Sequence, residues 1–97
     1  MLTSKQRAKL RGLASKIDPV FQIGKGNLSE VQISELKAVL NKRELIKVSV
    51  LKGCDYTADE LLAELAEELD AEPIAAIGNK FILYRFSDDK SVKHIEL

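Results

Sequence analysis

Tryptophan is absent from this 97-residue chain, and there is one cysteine, one histidine and two prolines. A lone Cys54 excludes an internal disulfide framework and is compatible with a reducing compartment. One cysteine and one histidine cannot build a zinc site, and no metal or other cofactor is expected. Cys54 precedes Asp55, whose charge disfavours a thiolate, and His94 sits in the tail as a solvent-exposed residue that needs no function. The sequence is therefore read as a binding protein and not an enzyme. No apolar run is long enough to cross a bilayer. The early bases Lys5, Arg7, Lys9 and Arg11 are not followed by an apolar segment of the kind a secretory signal carries, so a cytoplasmic protein is expected.

Net charge is also missing, with 15 basic and 15 acidic side chains, but the zero conceals two blocks. Residues 1–27 hold Lys5, Arg7, Lys9, Arg11, Lys16 and Lys25 against Asp18 alone. Residues 55–72 hold eight acids and no base. A polarised molecule with one basic end is implied, and a phosphate-rich partner would suit that end.

What the chain does contain is a regular alternation of helical and strand periodicity. Thr3 and Gln6 have capping-box spacing, and Leu10, Leu13, Ala14 and Ile17 then recur at helical intervals. The first helix is predicted over roughly residues 4–16, closed by Asp18-Pro19. Its bases have no acids at i+4, so the positive charge is left for an outside partner. Val20–Ile23 reads as a strand. A second capping box, Ser29 with Gln32, opens a helix from about Glu30 to Lys42, and Leu45–Leu51 alternates as a strand. A third box, Thr57 with Glu60, opens a helix from Ala58 to Ala71 with leucines inside and acids outside. Pro73–Ile77 and Phe81–Phe86 flank Gly78-Asn79, a hairpin signal. The tail 88–97 is read as either flexible or a short edge strand. The fold expected is one α/β domain over 1–97, α-β-α-β-α-β-β, with three helices and a mixed four-stranded sheet. Phe21 and the Phe81/Phe86 pair are assigned to the core, so aromatic stacking platforms are not expected.

The stretch that organises the functional reading is Gly24-Lys25-Gly26-Asn27, between the first strand and the second helix. Backbone N–H groups at such a turn favour an anion, the glycines admit a phosphate close to the main chain, and Lys25 adds a charge. A dinucleotide fingerprint would require a third Gly or Ala where Ser29 stands, and Glu44 precedes the second strand instead of ending it. A P-loop would require Gly-Lys-Ser/Thr. What remains is a G-x-x-G-like backbone clamp on RNA. The candidate RNA contacts are Lys5, Arg7, Lys9, Arg11, Lys16, Gly24, Lys25, Gly26 and Asn27, and Lys80 and Arg85 around the last hairpin are candidates for extending the basic surface.

Several runs together carry a resemblance: Leu2-Thr3-Ser4-Lys5-Gln6-Arg7, Leu10-Arg11, Pro19 through Gly26, Glu44-Leu45-Ile46-Lys47-Val48, Ile77-Gly78-Asn79-Lys80 and Leu83-Tyr84-Arg85. In this order they resemble the bacterial YhbY-type proteins, stand-alone CRM (chloroplast RNA splicing and ribosome maturation) domains. The resemblance implies a fold like the C-terminal domain of translation initiation factor three. It also implies binding to ribosomal RNA in precursors of the large ribosomal subunit, with no membrane or small-molecule partner. A monomer is expected. The family loop is G-x-x-G; here Asn27 takes the fourth place, and asparagine tolerates a left-handed backbone better than other non-glycine residues. Two other readings compete: an adaptor docking through the acidic third helix, and an enzyme acting on a phosphorylated small molecule.

Overall fold

A computed structural model describes residues 2–24 and 29–97, so Lys25, Gly26 and Asn27 lie outside the described residues. The elements are α1 (Ser4–Ala14), β1 (Phe21–Ile23), α2 (Glu30–Arg43), β2 (Leu45–Val50), α3 (Ala58–Glu68), β3 (Glu72–Ile77) and β4 (Lys80–Tyr84). All three expected capping boxes close. Thr3 Oγ1 accepts from Gln6 N at 3.1 Å, Ser29 Oγ from Gln32 N at 3.2 Å and Thr57 Oγ1 from Glu60 N at 3.2 Å. Each N3 side chain returns an acceptor to its cap N–H, satisfying a second orphan donor.

The four strands form one mixed sheet in the order β1-β2-β4-β3. β1 and β2 are parallel, and β4 is antiparallel to both β2 and β3. β3 therefore runs parallel to β2 with β4 inserted between them, so both helical connections are crossovers of the βαβ kind. Gly78 has φ +61 while Asn79 is not among the positive-φ residues, the signature of a type II′ hairpin turn with glycine first. Pro73 sits on the edge strand β3, where its missing N–H costs no ladder bond.

Strand alternation divides the core between the two sheet faces. Ile46, Val48, Val50, Phe81 and Leu83 pack with Leu36 and Leu40 of α2 and Leu61 and Leu65 of α3. Leu45, Ile82, Tyr84 and Ile74 point the other way and pack with Leu10 and Ala14 of α1. Basic α1 and acidic α3 consequently lie on opposite faces of one sheet.

Three expectations are corrected at element ends. The first helix stops at Ala14, and Lys16 follows on a tighter turn, with Lys16 N donating to Leu13 O at 3.1 Å. The third helix stops at Glu68 in a Schellman motif: Ala71 N donates to Ala66 O at 2.8 Å, Asp70 N to Glu67 O at 3.3 Å, and Asp70 takes φ +53. The final strand ends at Tyr84, and Phe86 is 59% exposed instead of buried. The tail adds no edge strand. It is tied down by a side chain described below.

Candidate nucleic-acid interface

Lys5, Lys9, Arg11 and Lys16 are all exposed, and among the described residues none has an acid within 4 Å. At about 100° per residue, Lys5 and Lys9 share one flank of α1, and Arg7 and Arg11 share the other. The expectation of unpaired bases fails at Arg7. Its Nη1 donates to the carbonyl of Pro73 and its Nη2 lies 3.6 Å from Glu72 Oε2. Arg7 thus fastens α1 to the free edge of β3. Its acid partner comes from 65 positions away in sequence, which an i,i+4 search along the helix cannot find.

Strand register places three further polar groups on the α1 side. Gln22 pairs with Ser49, Ser49 with Lys80, and Lys80 with Ile77, forming one row across all four strands. Lys80 is two residues from Ile82, which packs under α1, so the whole row faces α1's side. The α1 cluster reaches Ile82 and Ala75 but not this row, leaving Gln22 and Lys80 exposed and Ile77 64% exposed. Lys47, one row nearer the helix, is half-buried on the same face. Ser49 in the middle of the row is buried, and Gly24 lies two residues beyond Gln22, just past the end of β1. Its backbone is not left-handed, and a Cβ there would meet Leu51 Cδ1 at an ordinary 3.7 Å. The fold itself does not demand glycine at this position. Arg85, by contrast, is drawn to Asp88 Oδ2 at 3.4 Å.

Sequence reasoning missed Glu44. It caps α2 with φ +64, is fully buried, and donates its N–H to Leu40 O at 2.7 Å. Its carboxylate accepts from Ser87 N at 2.7 Å and Ile95 N at 2.8 Å, and lies 2.6 Å from His94 Nδ1. Burial pushes its pKa up, but the Ser87 N–H, His94 and the Ile95 N–H more than offset this and hold it below the ordinary value. His94 also stacks on Phe86 with ring centroids 4.0 Å apart. The histidine expected to be an idle tail residue is therefore half of a clasp. The available signal was a glutamate where a helix would ordinarily end in glycine.

A cationic helix laid across one face of a mixed sheet, with an acidic helix on the other, gives this α/β domain a basic side and an acidic side. The CRS1/YhbY (CRM) domain profile matches residues 2–85, and the chain belongs to that family. It is 38% identical over 97 residues to the "Probable RNA-binding protein YqeI" of Bacillus subtilis, covering 100% of this chain and 99% of that one. It is 33% identical over 92 residues to a Haemophilus influenzae protein named "RNA-binding protein", covering 95% and 93% of the two chains. Among solved structures, it is similar to the solution structure of SAV1595 from Staphylococcus aureus, a hypothetical protein described as a candidate RNA-binding protein. The TM-score is 0.69 at 43% identity, over 96% of this chain and 98% of that one. The fold matches that neighbour: three helices and a mixed four-stranded sheet.

Proposed function

We propose that this protein binds RNA in the cytoplasm, specifically ribosomal RNA during assembly of the large ribosomal subunit. The observation that carries the reading is the set of exposed bases on α1 and the turn after it, Lys5, Lys9, Arg11 and Lys16, without acidic partners among the described residues. Unpaired cations on a rigid helix neutralise phosphates at little reorganisation cost, and each phosphate contact releases counterions. Lys47 and Lys80 extend the same face toward Gly24, where Lys25, Gly26 and Asn27 would add backbone amides and one more charge. Arg7 is assigned mainly to holding the helix in place. The names of the relatives support RNA as the polyanion; the ribosomal target rests on the family resemblance.

A salt titration against an RNA duplex tests the electrostatic part. If about five phosphates are neutralised, log K should fall against log salt with a slope of roughly −4 to −5. A slope near zero would refute it. Crosslinking the protein to RNA in cells and sequencing the attached fragments tests the target; fragments scattered over messenger RNA would refute the ribosomal assignment.

A further inference from the structure

Beside the C-terminal end of α1 the surface opens into a cleft of about 840 Å³. Ile17, Val20 and Ile95 contribute apolar wall, and Lys16, Arg43 and Asp18 contribute the charge. Its size is within the roughly 300–1,000 Å³ of small-ligand sites. Lys16 and Arg43 are exposed, and among the described residues neither has an acid within 4 Å, Asp18 included. Resting on the RNA-binding reading above, we infer that this cleft receives one unstacked base from a single-stranded stretch of the bound RNA.

Three features of the cleft select that occupant. Apolar walls suit the faces of a flat heterocycle, and an unpaired guanidinium such as Arg43 offers a plane for a base to stack on where no aromatic side chain lines the cleft. Lys16 is a compact charge suited to the phosphate beside that base. Asp18 is an acceptor for an exocyclic amino group, the kind of base-edge contact carboxylates make. The cleft also adjoins the cationic helix, because Leu13 and Lys16 line it and Lys9 lies one turn before Leu13 on the same flank of α1. A strand held by the helix bases would pass the mouth of the cleft with its phosphates already neutralised. An apolar protein segment would leave both cations unpaired, so charge complementarity favours the nucleotide.

The test uses the full chain, a single-stranded RNA hexamer, and a ribose-phosphate hexamer lacking all bases, followed by methyl NMR and affinity measurement. The RNA hexamer should shift the methyl signals of Ile17, Val20 and Ile95 and bind about 2- to 30-fold more tightly than the base-free chain, the range expected for one guanidinium–base stacking contact. Arg43→Gln should remove most of that preference, while Lys9→Gln should weaken both ligands alike. If α1 amides respond to RNA but the cleft methyls do not, RNA binding stands and the cleft assignment is overturned. If neither responds, the RNA reading itself fails. An equal effect of Arg43→Gln on both hexamers would make Arg43 a phosphate contact and overturn the proposal. So would equal methyl shifts from 5′-AMP alone at matching concentration, which would indicate a site for free nucleotides. Methyl shifts that grow with protein concentration in the absence of RNA would identify a self-association face, again overturning it.

Discussion

Glu44 combines two costs at one position: a non-glycine residue at φ +64 and a carboxylate wholly removed from water. Left-handed backbone costs on the order of 1–3 kcal/mol, and a buried charge is tolerated only when fully hydrogen-bonded. Ser87 N, Ile95 N and His94 supply those bonds and in doing so secure the chain beyond β4. The two contributions are separable. Glu44→Ala should destabilise by roughly 2–4 kcal/mol, since it strands buried donors, and Glu44→Gly should be about 1 kcal/mol less harmful because it relieves the backbone. Urea unfolding monitored by circular dichroism would rank them; equal losses would show that the backbone is unstrained. The pH dependence follows from the same site. A carboxylate held below its ordinary value of 4.5 in the folded chain contributes stability above that value and loses it as pH falls through the folded value. The wild-type urea midpoint should therefore decline below about pH 4.5 more steeply than that of Glu44→Gln. Parallel declines would remove Glu44 as the cause.

Gly24 poses the opposite question, since its surroundings would accept a methyl group. Gly24→Ala should change stability by less than about 0.5 kcal/mol. If the main chain there touches phosphate, RNA affinity should nevertheless fall about tenfold, a loss attributable to the ligand and not to the fold. Unchanged affinity would dismiss close approach at this residue.

At the scale of elements, helix starts and helix ends behaved differently. The Thr3, Ser29 and Thr57 boxes are local, each needing only a residue three positions on, so spacing alone predicts them. The ends are decided by what the next strand requires. α3 must reverse into β3, and Asp70 is forced to φ +53 to make the turn. Asp70→Gly removes that strain and should raise the melting temperature by roughly 2–6 °C, corresponding to about 0.5–1 kcal/mol in a domain of this size. A fall would mean the Asp70 side chain does more than occupy the turn. α1 likewise ends early because Ile17, Pro19 and Val20 must descend to the sheet, where Val20 N bonds to Lys47 O at 2.9 Å.

For the molecule as a whole, the sheet separates basic α1 from acidic α3. α1 and its bases occupy one face, and Asp59, Glu60, Glu64, Glu67 and Glu68 are exposed on α3 across the sheet. Neutralising Lys5, Lys9, Arg11 and Lys16 together to Gln should lower RNA affinity by at least about tenfold. Reversing Asp59, Glu64 and Glu67 to Lys should leave it unchanged or raise it. Co-sedimentation with ribosomal particles distinguishes this from an adaptor docking through α3, which would lose association with the second set of substitutions and keep it with the first.

The amino-acid order determined what depends on near neighbours: the helix and strand sequence, the three helix starts, the Gly78-Asn79 hairpin, the segregation of charge, and the family runs. Those features follow from periods of two and 3.6 residues and from contacts three or four positions apart. Tertiary structure alone decided which cations remain free. Arg7 looked the same as Arg11 along the helix, yet it is engaged by Glu72 and Pro73, while Phe86 left the core to stack on His94. It also decided that Glu44 would close a clasp with residues more than 40 positions away. The physical reason is common to all three. Pairing across the fold depends on strand order and register, and no local periodicity records which strand will lie beside which.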